Sequence, residues 1–177
     1  VRGDWQTATA MWNQLPNYLE GSEVKFLPIC DVSGSMSGRP MEISISLGMY
    51  LSERNTSIFK DAFITFSRNP KLQVLTGDLK ARYMQLSRAE WGMNTNIQAV
   101  YRLLLQTAIN NKLSQEDMPT HLLIISDMEF DACAENANQS IFKNIKEAYK
   151  SYGYESPNIV FWNVNSRQNN VPVRFNK

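Results

Sequence analysis

The chain has 177 residues, of which 43% are hydrophobic and 11% aromatic, and its formal net charge at pH 7 is +1. This length and composition predict one globular domain with a sizeable core. The nearly balanced charge argues against a nucleic-acid-binding surface and against a polybasic membrane patch. No apolar stretch approaches the roughly 20 residues that a transmembrane helix needs.

The cysteines and the N-terminus bear on the cellular compartment. Cys30 lies in a predicted core strand and Cys133 follows a later one, so we expect two free thiols and no disulfide framework. The first residues lack the charged and apolar regions of a signal peptide. Both features indicate an intracellular, cytoplasmic protein. The chain does not begin with Met and is expected to be part of a longer one.

Apolar periodicity alternates between strand and helix along most of the chain. Residues 1–22 are expected to form a lead-in with one short amphipathic helix ended by Pro16, and residues 23–177 to form the domain. The predicted elements of the domain are a strand at 24–30, a helix at 40–54, a strand at 61–66, an antiparallel edge strand at 71–75, a helix at 78–86 capped by Asp78, a helix at 96–111, a strand at 121–126, a helix at 140–152, a strand at 159–164 and the start of another strand at 171–173.

This alternation predicts an α/β fold, a doubly wound, Rossmann-like three-layer sandwich. Its central sheet is expected to be mostly parallel, with one antiparallel edge strand. The continuous apolar run at 121–126 is typical of a parallel strand covered on both faces. In such folds ligands bind at the carboxyl ends of the strands, near the point where the strand order reverses. Asp31 and Asp127 each follow a predicted strand, so both are expected at that edge.

The segment from Asp31 to Met36 is the clearest indication of function. It carries a carboxylate and two hydroxyls, from Asp31, Ser33 and Ser35, at alternating positions in a turn that contains glycine. Oxygen ligands favour Mg²⁺ or Mn²⁺ over zinc, and Mg²⁺ is usually held by one or two carboxylates with water. Hydroxyls add no charge, so the ion stays able to accept an anionic ligand. The alternative is a simple capped turn in which the serines are helix N-caps.

Two further loops are expected to reach the same edge of the sheet. One carries Thr95 just before a predicted helix, and the other carries Asp127 after the strand at 121–126. Together with the first loop they would supply two carboxylates and three hydroxyls to one octahedral ion, with water completing the shell. The predicted metal site therefore consists of Asp31, Ser33, Ser35, Thr95 and Asp127.

This order of residues resembles the von Willebrand factor A (vWA) domain and its metal-ion-dependent adhesion site (MIDAS), over residues 23–173. The pattern is Asp-x-Ser-x-Ser, then a loop Thr, then an Asp at a strand end. Three segments are also similar to a TROVE-related family of intracellular proteins from plants, bacteria, phages and large DNA viruses, whose A domain is like that of the Ro autoantigen. These segments are Trp91–Asn96, Ile125–Asp131 and Phe161–Val164.

The resemblance implies a role for each residue of the site. Ser33 and Ser35 would coordinate the ion directly, and Thr95 directly or through water. Asp31 and Asp127 would act mostly through water or by holding other ligands. The ion would be Mg²⁺, with Mn²⁺ or Ca²⁺ as alternatives, and a protein partner would supply an Asp or Glu to the remaining position. An A domain normally closes with a further strand and helix, and that helix is expected to be missing or truncated here.

These features favour a non-catalytic protein-interaction module that depends on a divalent metal. The alternatives are a scaffold domain of an RNA-associated particle, a phage or viral structural component, and a Mg²⁺-dependent hydrolase or phosphotransferase. Such a phosphatase would want a carboxylate where Ser33 stands, and His121 lies at the start of a strand, away from the ion. No direct contact with nucleic acid or membrane is expected.

Side chains beside the predicted ion have two interpretations each. Glu129 and Asp131 would either lie in the outer shell of the ion or contact a partner, or they would be solvated loop residues. The large apolar residues of the same loops would either form a rim for a partner or belong to the core. These residues are Trp91, Met93, Met128 and Phe130.

Overall fold

The computed structural model describes residues 4–65, 67–90, 96–127 and 135–164, except the side chains of 135–140. Helices and strands alternate along these ranges. In chain order they are α1 Trp5–Asn13, β1 Phe26–Cys30, α2 Arg39–Glu53, β2 Ala62–Thr65, β3 Leu72–Val74, α3 Leu79–Ser87, α4 Ile97–Asn111, β4 His121–Ser126, α5 Glu135–Ser151 and β5 Asn158–Asn163.

The strands form one sheet in the order β3-β2-β1-β4-β5. β1 pairs in parallel with both β2 and β4, and β4 pairs in parallel with β5. β3 pairs antiparallel with β2 at the edge. The predicted α/β fold with a mostly parallel sheet and one antiparallel edge strand is therefore confirmed. After β1 the chain adds strands on one side and then crosses to the other, so the strand order reverses between β1 and β4.

Helices pack on both faces of this sheet, because successive strand side chains point to opposite faces. In β4, Leu122 and Ile124 join the buried core formed with α4 and α5. Leu123 and Ile125 join a second core formed with α2 and α3. The sheet is therefore the middle of three layers. Among the helices of the described ranges, none is long and apolar enough to cross a membrane.

Most element boundaries lie within two residues of the sequence prediction, and β4 has the predicted bounds. Asp78 caps α3 as predicted, since its Oδ1 accepts a hydrogen bond from the backbone N–H of Ala81 at 2.8 Å. The start of α5 is the exception, because the helix begins at Glu135 and not at 140. Its first residues are mostly polar, so they give no apolar stripe that would reveal a helix. The strand predicted at 171–173 lies outside the described residues.

Helix α1 packs against α2 and α3. The indole N–H of Trp12 donates to Glu53 at 2.8 Å, and the ring of Trp5 lies 5.5 Å from that of Tyr83. Beyond α1, the hydroxyl of Tyr50 donates to the Pro16 carbonyl at 2.8 Å. The lead-in is thus attached to the helical layer that contains α2.

Candidate metal site

The candidate site lies at the carboxyl ends of β1 and β4, where the strand order reverses. Asp31 directly follows β1, and Asp127 directly follows the neighbouring strand β4. The backbone N–H of Asp31 donates to the Ile125 carbonyl at 3.0 Å, which continues the β1–β4 pairing to the end of the strands. Both carboxylates therefore reach the same edge of the sheet, at the position where α/β folds bind ligands.

The Asp31 carboxylate is buried and held by two donors. Asp31 is only 2% exposed. Its Oδ1 accepts the backbone N–H of Ser33 at 2.8 Å, and its Oδ2 accepts the hydroxyl of Ser126 at 2.6 Å. A buried carboxylate is costly unless such bonds compensate its lost hydration. These contacts therefore fix the carboxylate's orientation from the loop after β1 and from the last residue of β4.

The hydroxyls of the first loop are brought together by a single 3₁₀ turn at Gly34–Met36. The side-chain oxygens of Ser33 and Ser35 lie 3.0 Å apart, and the Ser35 hydroxyl donates to Oδ1 of Asp127 at 3.3 Å. Ser35 is exposed, while Ser33 and Asp127 are half-buried. The group is therefore open to solvent on one side and backed by the buried Asp31 on the other.

Thr95 lies outside the described residues, as do the flanking-loop residues Trp91, Met93, Met128, Glu129, Phe130, Asp131 and Cys133. The helix that follows Thr95 is described. Asn96 caps α4 by accepting the backbone N–H of Ala99 at 2.9 Å. The structure thus brings together Asp31, Ser33, Ser35 and Asp127, and the contribution of Thr95 stays a prediction.

The donor set suits a small hard cation. In an octahedral shell with Mg–O bonds of about 2.1 Å, neighbouring oxygens are about 3.0 Å apart, whereas around Ca²⁺ they are about 3.4 Å apart. The Ser33 and Ser35 oxygens lie 3.0 Å apart as a hydrogen-bonded pair, close enough for both to bind one cation. Within the described ranges, no three His, Cys, Asp or Glu residues cluster to hold a metal. A site of two carboxylates and neutral hydroxyls does not need such a cluster.

Neither Cys30 nor His121 belongs to this donor set. Burial, reinforced by the negative charge of Asp31, raises the pKa of the Cys30 thiol to about 12, so it stays protonated and non-nucleophilic at neutral pH. His121 begins β4, at the opposite end of that strand from Asp127. Its Nδ1 lies 2.9 Å from the Thr120 hydroxyl, and its ring packs 5.6 Å from that of Phe26.

Two residues, Ser126 and Met36, contact the site and were not predicted to do so. Ser126 is the last residue of an apolar strand, and the sequence offers no sign that its hydroxyl faces Asp31. Met36 ends the serine turn, and its Sδ accepts the backbone N–H of Asp127 at 3.1 Å. Its position directly after the Asp-x-Ser-x-Ser pattern could have indicated a contact with the site. A buried methionine, however, ordinarily indicates a core residue.

Replacing Ser126 by alanine is expected to weaken both folding and cation binding. Asp31 would lose the Ser126 hydroxyl as a donor, which costs about 1–3 kcal/mol for a buried group. Urea unfolding and Mn²⁺ titration would measure the two effects. Ser52→Ala is the matched control, because this buried hydroxyl donates to the Met49 carbonyl near the far end of α2. Equal Mn²⁺ affinity in the two variants would contradict the role of Ser126.

Comparison with known proteins identifies related sequences. A family model described as "Domain of unknown function (DUF7788)" matches residues 25–177, which include every residue of the candidate site. An uncharacterized protein of Acanthamoeba polyphaga mimivirus is 35% identical over 150 residues. That alignment covers 84% of this chain and 26% of the viral protein, so the chain spans about a quarter of its relative's length.

Proposed function

We propose that this chain, which belongs to the DUF7788 family, is a non-catalytic protein-interaction module that binds a partner's carboxylate through a divalent cation. The observation that carries the proposal is the meeting of Ser33, Ser35 and Asp127 beside the buried Asp31. Their oxygens form a chain of short contacts, 3.0 Å and 3.3 Å long, at the strand reversal. The spacing of these residues supports a vWA domain with a MIDAS, with Thr95 as the fifth residue of the site.

The charges at the site favour an anionic ligand on the ion. Mg²⁺ would face two carboxylates, one of which, Asp31, is already engaged by the Ser33 N–H and the Ser126 hydroxyl. Ser33 and Ser35 would contribute oxygen without charge. Helix α2 begins three residues after the serine turn, so the positive end of its dipole follows the site along the chain. An Asp or Glu of a partner would complete the shell from the exposed Ser35 side.

A binding role fits the residues better than hydrolysis does. The position two residues after Asp31 holds a serine, where a metal-dependent phosphatase on such a sheet would use a carboxylate for proton transfer. The chain's one histidine, His121, lies at the other end of β4. The Cys30 thiol is buried and protonated. These features support a site that binds a carboxylate and catalyses no reaction on it.

An affinity capture from the lysate of the source organism tests the proposal. The chain would be immobilised and washed in Mg²⁺ or in EDTA, beside a Ser35→Ala variant. We expect a partner retained by the wild type in Mg²⁺ and lost both with EDTA and with Ser35→Ala. EDTA would release the partner because it removes the ion, and Ser35→Ala because it removes one of the ion's proposed ligands.

Ser37→Ala is the matched control for this capture. Ser37 is an exposed serine two residues beyond Ser35 in the same loop, and its backbone N–H bonds to the Gly34 carbonyl. The variant should retain the partner as the wild type does. Retention of the same proteins in EDTA and by Ser35→Ala would refute the proposal.

A further inference from the structure

We propose that Met36 is a positioning residue that fixes Asp127 at the candidate site through its thioether. Met36 is fully buried, with 0% of its surface exposed. Its Sδ lies 3.1 Å from the backbone nitrogen of Asp127, which donates a hydrogen bond to it. The consequence for cation affinity rests on the proposed function, whereas the contact itself does not.

Met36 joins two loops that are far apart in the sequence. On its own loop, the Met36 N–H donates to the Ser33 carbonyl at 3.0 Å and closes the serine turn. On the other loop, its Sδ accepts the N–H of Asp127, the first residue after β4. The Met36 side chain therefore links the serine turn to Asp127 at the end of β4.

Asp127 is consequently held at two points by two consecutive residues. The Ser35 hydroxyl donates to the Asp127 carboxylate at 3.3 Å, and Met36 accepts from the Asp127 backbone at 3.1 Å. One contact on a residue leaves it free to pivot, but contacts on both backbone and side chain restrict rotation. The carboxylate is thereby directed toward the Ser35 oxygen before any ion binds.

Replacing Met36 by leucine would distinguish the effect of the hydrogen bond to Asp127 from the effect of core packing. Leucine fills nearly the same volume as methionine, and such exchanges usually cost less than about 1.5 kcal/mol in a core. It offers no acceptor, whereas the thioether is a weak but real one. Met49→Leu is the matched control, because Met49 is 2% exposed and belongs to the core formed with α2 and α3.

The experiment combines a metal-free and a metal-bound measurement on ¹⁵N-labelled protein. Without metal, the Asp127 amide of the wild type should exchange slowly with solvent. In Met36→Leu its NMR resonance should shift and its exchange should accelerate, with no such change in Met49→Leu. In Mn²⁺ titrations, Met36→Leu should bind about tenfold more weakly, a typical loss for a residue that orients a metal ligand. Met49→Leu should bind like the wild type.

The outcomes distinguish this proposal from the proposed function. An unprotected Asp127 amide in the wild type would overturn the role of Met36 even if Met36→Leu failed to fold. So would identical amide behaviour in the two leucine variants, or a Mn²⁺ affinity that Met36→Leu leaves unchanged. If the wild type bound no Mn²⁺, the proposed function would be wrong instead. The metal-free amide measurements would then still test the hydrogen bond between Met36 and Asp127.

Discussion

Replacing Asp31 by alanine is expected to abolish cation binding and to lower stability at the same time. Loss of one residue that orients metal ligands already costs 10- to 100-fold in affinity, and Asp31 anchors both the Ser33 backbone and the β4 end, so we expect a loss of at least about 100-fold. The same change removes the hydrogen bonds that the Ser126 hydroxyl and the Ser33 N–H donate to Asp31. A hydrogen bond to a charged group contributes about 1.5–3 kcal/mol to stability.

Thermal unfolding with and without Mg²⁺ would separate these two effects. At a Mg²⁺ concentration about 100 times its Kd, the wild type should gain about 2.7 kcal/mol, because the ion binds the folded chain alone. Asp31→Asn keeps one carbonyl oxygen for the local hydrogen bonds and is the variant most able to remain folded. It should gain no more than about 0.4 kcal/mol from the same Mg²⁺ concentration, the value for a 100-fold weaker site. Equal stabilisation of the wild type and Asp31→Asn would remove Asp31 from the site.

The Gly48→Ala substitution is expected to destabilise the fold by about 2–3 kcal/mol, the range for an overpacked core. Gly48 lies in α2, where alanine would ordinarily stabilise a helix by about 1 kcal/mol. Here an added Cβ would lie 2.2 Å from the Cys30 sulfur and 3.4 Å from Leu86. The clash outweighs the helix preference because Cys30 is itself 2% exposed and cannot move aside.

A double-mutant cycle with Cys30→Ala checks this explanation. Removing the sulfur makes room for the new methyl group, so the double variant should be more stable than the sum of the single effects by at least about 1 kcal/mol. Ser46→Ala, at an exposed position of the same helix, should change the free energy of unfolding by less than about 0.5 kcal/mol. A Gly48→Ala chain as stable as the wild type would show that α2 and β1 are not in close contact.

This close approach matters for the site, because α2 begins just beyond the serine turn and Cys30 precedes Asp31. Glycine at position 48 lets the helix lie directly against the end of β1. This packing holds α2 against the residue that directly precedes Asp31. Nothing in the pattern of apolar residues around 48 indicated this requirement, since Gly within a helix is ordinarily only unfavourable.

Much of the fold was predictable because its elements are strongly periodic. The uninterrupted apolar run at 121–126 identified β4, and the stripe of α4 identified a helix that faces the sheet. The antiparallel edge followed from the short turn between β2 and β3. By contrast, the first turns of α5 were missed, because a polar helix end is formed by backbone hydrogen bonds that leave no apolar signature.

The sequence by itself determined the chemistry of the candidate site. Asp31, Ser33 and Ser35 are neighbours along the chain, so their oxygens share one turn, and the rule that parallel strands end at a common edge added Asp127. Only the tertiary structure decided how these groups are held. Ser126 and Met36 contact Asp31 and Asp127 from 95 and 91 residues away, through bonds set by strand register and core packing. Such contacts depend on angles and distances between elements, which no local spacing of residues encodes.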